Sequence, residues 1–403
     1  MLEVRGARPE ELDAAAECIG MVFGETPEAV REVAESIRSQ MSSRTRFDPE
    51  NMRVAVVEGR IVSVLQISDR HTLVQGVPVR TGVVTAMGTL PEYRADGYGA
   101  LVLWDAARYL ERRGYELSLV LGEIVDFYER GGWRKLRAHY SLLIRSTGGL
   151  REAHFGSELG PIDWASDLDS VLALQAICHH SLSGPTAWGR EYWIEAATRW
   201  EHGHPMFYVA KAGGELLAYL RVGASRGIED FCARPDADYA LSALIVHAYG
   251  EALTAGLQEI ESVRLLGMES HLGEHGLDVR RDPESQYNLY RIVRLDSLLE
   301  LLVPRMQEEW ERSGVTAWEG SVTIESEAGD AHLAVRDDRV LLADERSRPG
   351  PEVRVRLTHA QLIDLLFGQT KHDKLLIETK EGRSTALRVL QTLFPPHEFL
   401  YVG

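Results

Sequence analysis

At about 150 residues per domain, a chain of 403 predicts two or three domains, and 44% hydrophobic with 26% charged residues is an ordinary globular composition. Forty-four Lys and Arg against 61 Asp and Glu leave a net charge of −17, which argues against nucleic acid or an anionic membrane as the main partner, since both need clustered cations. Cys18, Cys178 and Cys232 lie far apart with no CxxC or CxxH spacing, so neither a disulfide framework nor a structural zinc site is expected. Met1 to Arg5 contains no apolar run of signal-peptide type, and no window approaches the roughly 18 apolar residues of a membrane span. A cytoplasmic protein without a metal is the expectation.

Leu12, Ala15, Ile19 and Phe23 repeat at helical spacing, predicting a helix from about Glu10 with Cys18 on its apolar face. Thr26-Pro27-Glu28 reads as an N-cap, a first-turn proline and a dipole-matched acid, followed by Val30, Val33, Ile37 and Met41. β-Branched runs at Arg53–Val57 and Ile61–Ile67 form a hairpin through Glu58-Gly59-Arg60, and strand character continues over Val77–Arg80 and Gly82–Thr89. A helix with Leu103, Ala107 and Leu110 on one face stops at Gly114. Strand Glu116–Leu121, short helix Asp126–Arg130 and strand Ala138–Ile144 follow.

The pattern then recurs. Phe207–Ala210 and Leu216–Val222 make a hairpin through Gly213-Gly214, followed by strand Gly227–Ala233, a helix through Leu241, Leu244, Ile245, Ala248 and Leu253, and strand Ser262–Leu266. Hairpin, strand, long helix, strand, twice over, predicts a duplicated fold. The last hundred residues differ: helix Leu295–Trp310, short strands at Ser321–Glu325, Ala331–Val335, Arg339–Leu342 and Glu352–Leu357, then a helix capped by Thr358 and ended by Gly368. Boundaries near 150 and 295 follow, giving units 1–150, 151–294 and 295–403.

The sharpest chemical signal is Met87-Gly88-Thr89 running through Pro91-Glu92-Tyr93 into Arg94-Ala95-Asp96-Gly97-Tyr98-Gly99-Ala100. A strand enters an Arg-x-x-Gly-x-Gly turn and then a helix, so the free N–H groups and positive end of that helix can hold a pyrophosphate, with Arg94 adding charge. The dinucleotide fingerprint is a different pattern, with three glycines and a distal acid. About thirty residues on comes Val125-Asp126-Phe127-Tyr128-Glu129-Arg130-Gly131-Gly132-Trp133. Alone, that segment is a short helix whose aromatics fill core. Cys178-His179-His180-Ser181 offers thiol, imidazole and hydroxyl, yet neighbours on a helix point apart. His202 and His204 have no Cys or carboxylate cluster around them, Trp188, Trp193 and Trp200 suit a core, and Arg346 and Arg348 beside Pro349 read as a solvated turn.

Taken together, the two motifs resemble those of the GNAT acetyltransferases, with Trp133 where Phe or Tyr is usual and Asp96 where many members carry a base. The whole layout resembles the enhanced intracellular survival (Eis) branch: an α/β (α+β) protein with tandem GNAT folds, the second degenerate, and a sterol-carrier-protein-like C-terminal α/β domain. Arg234-Pro235-Asp236-Ala237-Asp238 stands where a second cofactor loop would fall, without Gly-x-Gly.

The resemblance implies acetyl-CoA as co-substrate, held at Met87, Gly88, Thr89 and the Arg94–Ala100 loop. It implies direct acetyl transfer to an amine, small-molecule or protein-borne, of aminoglycoside, polyamine or lysine type. Tyr128 matches the family's acid, and a phenol of pKa ~10 is protonated at neutral pH. The family's base is a C-terminal carboxylate, which corresponds to Gly403 after the apolar Phe399-Leu400-Tyr401-Val402 stretch. Phe23, Glu25 and Glu398 are candidate substrate contacts, and a homo-oligomer, as large as a hexamer, is expected on the same ground. The rival reading is a lipid- or small-molecule-binding protein that works through residues 295–403, with the GNAT half structural.

Overall fold

The computed structural model describes residues 1–43, 47–122, 124–136, 141–151, 158–191, 193–194, 206–223, 225–265, 267–282, 287–315, 318–344, 350–380 and 382–402. Three sheets carry the fold. The first runs in the order Leu2–Gly6, Met52–Val57, Arg60–Val74, Val77–Thr89, Leu117–Gly122, Tyr287–Ile292 and Arg134–Lys135. Its two hairpin turns, Glu58-Gly59 and Gln75-Gly76, have positive φ at both positions, as the tight turns between twisted antiparallel strands require. A Cβ on Gly76 would stand 1.9 Å from the His180 carbonyl oxygen, so that turn accepts only glycine.

Helix Leu12–Phe23 buries Ala15, Ala16, Cys18 and Ile19, and helix Pro27–Ser43 starts where Thr26 Oγ1 accepts the Ala29 N–H at 3.2 Å. Both belong to a core with Val54, Val64 and Leu90. Helix Tyr98–Arg112 covers the other side of the sheet, packing Val102, Leu103, Ala106 and Leu110 on Leu65, Ile67, Val84, Val120 and Leu289. The Arg60–Val74 strand outruns its expected Ile61–Ile67, because its polar residues Ser68 and Thr72 are buried against other parts of the chain.

The second sheet repeats this order: Glu158–Pro161, Met206–Ala212, Glu215–Val222, Ile228–Ala233, Glu259–Ser262, Leu142–Ser146 and Leu277–Arg281. In each sheet a hairpin is followed by a third antiparallel strand, a long helix and then a parallel neighbour (Val83 beside Leu119 in one, Ile228 beside Ser262 in the other). The next position in each sheet is filled from the other unit. Leu142–Ser146 pairs with Glu259–Ser262 and Leu277–Arg281, whereas Tyr287–Ile292 pairs with Leu117–Gly122. The strand expected at Ala138–Ile144 to complete the first unit therefore completes the second, and a division at 150 and 294 cuts across an exchange of strands. Sequence periodicity identifies a strand but not its partner, because Leu142 and Ile144 would bury equally well in either sheet. Ser262–Leu266 is also shifted: the strand is Glu259–Ser262, with Ile260 and Ser262 buried alternately.

The third sheet, Arg339–Leu342, Ala331–Arg336, Gly320–Ser326, Glu352–Leu357 and Ile377–Thr379, packs with helices Leu295–Ser313, His359–Leu366 and Arg383–Leu393. Thr358 and Gln361 close a reciprocal capping box at the second of these helices. This core is continuous with Val83, Leu119 and Tyr290 of the first sheet. Phe399–Val402 pairs in parallel with Ser183–Pro185. Residues 138–140, Leu266, Trp200, His202, His204, Arg346, Arg348, Pro349 and Gly403 lie outside the described residues.

Candidate active site

Parallel pairing between Val77–Thr89 and Leu117–Gly122 starts at Thr81 beside Leu117 and ends at Val84 beside Val120. Beyond that pair the two strands separate. Strand Val77–Thr89 stays paired to Arg60–Val74 on its other side, but through a bulge: Gln66 pairs with Thr85 and Val64 with Gly88, so Ala86 and Met87 oppose Leu65 alone. Ala86 takes φ of 47°, a left-handed value that an L-residue adopts only when its surroundings hold it there. Ser63, fully buried, pins the strand past the bulge by donating to the Gly88 carbonyl at 3.0 Å and meeting Thr89 Oγ1 at 2.9 Å. Gly88 is required for a different reason from phosphate approach: its Cβ would stand 2.3 Å from Val22 of the first helix.

The chain leaves this strand through Pro91–Tyr93 and enters helix Tyr98–Arg112 at Gly97, whose φ of 84° suits glycine. No side chain caps this helix, and its first intrahelical bond runs from Leu101 N–H to the Gly97 carbonyl at 3.1 Å. The N–H groups of Tyr98, Gly99 and Ala100 therefore point outward without helical acceptors. A Cβ on Gly99 would meet Thr89 Oγ1 at 3.1 Å, so helix start and strand end already touch. Arg94 is held over the turn by its Nε donating to the Thr89 carbonyl at 3.2 Å. A cleft of about 410 Å3 opens here, lined by Thr89, Arg94, Ala95, Gly97, Tyr98, Gly99 and Ala100 and closed by Leu103, Trp104, Phe127 and Arg130. Asp96 is exposed. Met87 packs partly buried against the helix-side core.

Helix Val125–Arg130 brings Tyr128 to the end of strand Leu117–Gly122. A Cβ on Gly122 would lie 2.7 Å from Tyr128 Cε2, so only glycine lets the ring sit on the strand just past the split. Phe127 meets Tyr128 edge to face, with centroids 5.2 Å apart. Burial pushes the Tyr128 phenol above its ordinary pKa, so it carries its proton throughout the neutral range. The loop behind it is tied to the exchanged strand by Arg291, which donates to the Gly131 carbonyl at 2.6 Å. Trp133 fits the position where an aromatic is usual: fully buried, it donates to Ser118 Oγ at 3.1 Å, and Ser118 donates to the Gly82 carbonyl at 2.7 Å, fastening the parallel pair below the split.

The loop residues line the cleft, and Tyr128 sits behind its Phe127 wall, on the end of strand Leu117–Gly122, without lining it. The substrate candidates do not line the cleft: Phe23 is 52% exposed, Glu25 is exposed, and Glu398 pairs with Arg264 at 3.1 Å. Ser63, Gly122 and Trp104 fall outside both sequence motifs, since a lone residue carries no periodic signal, whereas Arg130 belongs to the second motif. Cys18 is a buried hydrophobe with its thiol pushed up to about 12 by desolvation. Cys232 Sγ meets His179 Nε2 at 3.6 Å inside the second unit, and neither Cys178 nor His179 lines the cleft. Among the described residues no group of three His, Cys, Asp or Glu is placed to hold a metal, and no helix is long and apolar enough to cross a membrane.

Residues 3–136 match the family model described as Acetyltransferase (GNAT) domain. No curated protein matches the chain by sequence. Among solved structures, a GCN5-related N-acetyltransferase from Kribbella flavida superposes with a TM-score of 0.70 at 18% identity, covering 100% of this chain and 98% of that one. A GCN5-related N-acetyltransferase from Anabaena variabilis gives 0.69 at 14%, covering 100% of both. Eis1 from Mycobacterium abscessus gives 0.59 at 16%, covering 99% and 98%. These likenesses establish the fold: a mixed α/β chain with a GNAT domain at its start.

Proposed function

We propose that the protein is an acetyl-CoA-dependent N-acetyltransferase that moves the acetyl group directly to an amine of polyamine, aminoglycoside or lysine type. The observation that carries the reading is the strand split with an uncapped, glycine-lined helix start on one side and a half-buried tyrosine, its phenol raised by desolvation, at its end. Acetyl-CoA, when bound, supplies an activated thioester.

The N–H groups of Tyr98, Gly99 and Ala100 and the positive helix end suit its pyrophosphate, and Arg94, already anchored to Thr89, adds a fixed cation. The bulge at Ala86–Met87 interrupts the ladder, which frees main-chain groups at the split to orient a carbonyl. As the new C–N bond forms, the C–S bond breaks and Tyr128 delivers its proton to the departing sulfur, regaining one from solvent. The amine loses its proton to a base, proposed as the Gly403 carboxylate. Support for that base comes from Phe399–Val402, which lies beside Ser183–Pro185 next to the Thr72–Thr186 bridge to the first sheet. Direct transfer needs both reactants held together rather than a covalent enzyme intermediate, and the half-buried Cys178 lies in the other unit's core. Whole-length superposition on Eis1 supports the tandem layout with an added C-terminal domain.

The test is calorimetric titration with acetyl-CoA followed by thiol release against spermidine, an aminoglycoside and a lysine peptide. Saturable binding with amine-dependent thiol release is expected. A protein that does not bind acetyl-CoA overturns the reading.

A further inference from the structure

The residue row immediately past the split has an unusual content. In strand order it is Gln66, Thr85, Leu121 and Asn288: Gln66 pairs with Thr85, Leu121 pairs with Asn288, and the last parallel pair is the one before, Val84 with Val120. Leu65, Ile67, Val84, Val120 and Leu289 face helix Tyr98–Arg112, which the glycine loop enters. Side chains alternate along strands, so the row Gln66–Asn288 and Tyr290 face the opposite side. Tyr290 packs there with Val83 and Leu119.

On that face three buried side chains carry polar atoms that the rest of the chain does not satisfy. Asn288 and Tyr290 are 0% exposed, and their Nδ2, Oδ1 and Oη atoms have no partner but each other, while Gln66 is 2% exposed with Nε2 unpaired. Burying such a group without a hydrogen bond is unfavourable, and native proteins tolerate it chiefly where a water or ligand completes the set. Three strand steps separate Gln66 from Asn288, about 14 Å at the usual spacing, with the open split between them. The Tyr290 phenol is pushed up by burial and by Tyr401, against a hydrogen bond with Asn288 that lowers it, so it stays neutral. Phe399 of the last strand meets Tyr290 edge to face at 6.3 Å.

We propose that the exchanged strand Tyr287–Ile292 supplies the acceptor side of the site: Asn288 and Tyr290, with Gln66 across the split, receive the substrate amine on the sheet face opposite the cofactor helix. The inference rests on the acetyl-transfer reading above. Its chemistry is distinct from recognition of a cation. Asn288 Oδ1 accepts an amine N–H, Tyr290 Oη and the two side-chain amides add neutral hydrogen bonds, and these groups themselves bring no formal negative charge. A neutral, desolvated surrounding disfavours the ammonium form, so the amine is received as the free base that can attack a thioester. The acceptor class is then a primary amine flanked by further hydroxyl or amino groups that satisfy Gln66 and Tyr290. The exchange of strands also gains a purpose in this arrangement, because the second unit contributes groups to the first unit's reaction.

The test uses the full chain with acetyl-CoA and whichever of spermidine, an aminoglycoside or a lysine peptide the wild type acetylates fastest. Asn288→Leu removes both amide atoms at similar size, and Tyr290→Phe removes one oxygen. Each is expected to raise KM for the amine about tenfold, the value of one buried hydrogen bond, while acetyl-CoA affinity stays unchanged. Asn288→Asp places a carboxylate beside the amine, favouring the ammonium, and is expected to move the alkaline rise of kcat/KM for the amine to higher pH. Unchanged amine KM in both Tyr290→Phe and Asn288→Leu, with acetyl-CoA still bound, overturns the proposal alone. Acetyl-CoA binding with no turnover of any of the three amines also counts against it. Failure of the wild type to bind acetyl-CoA instead overturns the underlying reading.

Discussion

The exchanged strand depends on a buried histidine, and acid should reveal it. His359, 6% exposed at the first position of helix His359–Leu366, accepts the Ile292 N–H on Nε2 at 3.0 Å. Desolvation, reinforced by Arg134 and Arg291, lowers its pKa from 6.5 to about 4. Only the neutral ring can accept that N–H, so the folded state resists protonation that the unfolded chain takes up. Because the folded value is the lower one, the stabilisation is complete above pH 6.5 and is lost as pH falls toward about 4. The full gap is worth about 3 kcal/mol and, by the same linkage, about 2 kcal/mol is already gone at pH 5. His359→Gln keeps an acceptor without a titration. In thermal melts between pH 7.5 and 5 the wild type should therefore lose a few degrees more of Tm than the variant. His179, His372 and His397 are also lowered by burial and act in both proteins, so the difference between the two isolates His359. Parallel acid profiles would refute the assignment of a neutral, accepting His359.

Tyr128→Phe should lower kcat about 10²-fold, the scale of a positioned acid, with acetyl-CoA affinity unchanged in a titration. Gly122→Ala should act in the same direction, because the added methyl would stand 2.7 Å from Tyr128 Cε2 and displace the ring; a crystal structure or kinetics of the variant checks this. In native protein at pH 8 a disulfide thiol reagent should leave Cys18 unmodified, its thiol being buried and raised to about 12. Half-buried Cys178, lowered by a hydrogen bond from Cys232, should react first, as peptide mapping would report.

Much of the strand, turn and helix start around the cleft is legible because its signals are local. Gly97 and Gly99 announce a turn and an uncapped helix, Thr26 and Thr358 announce helix starts, and the hairpin glycines fall where positive φ is needed. The recurrence of hairpin, strand, helix and strand was also readable, since each segment keeps its own period. The pairing partner of Leu142–Ser146 and Tyr287–Ile292 was not, because register and sheet membership are decided by contacts more than a hundred residues apart. For the same reason nothing in the sequence singles out Asn288. Its meaning comes from Leu121 beside it and from the split one row below. Phe23, Glu25 and Glu398 were chosen by proximity in sequence to the first helix and the chain's last strand, and neither criterion reports which surface lines a cleft.

The most direct measurement of the central claim is calorimetric titration of acetyl-CoA into wild type and into the Gly97→Val, Gly99→Val double variant. Valine at 97 meets open space but must adopt a φ of 84°, and a side chain at 99 intrudes on Thr89, so the N–H groups that open the helix are turned and covered. Saturable binding to the wild type and none to the variant is expected, with the far-UV spectrum and the melt of the rest of the chain retained. Equal affinity in the two proteins would contradict it.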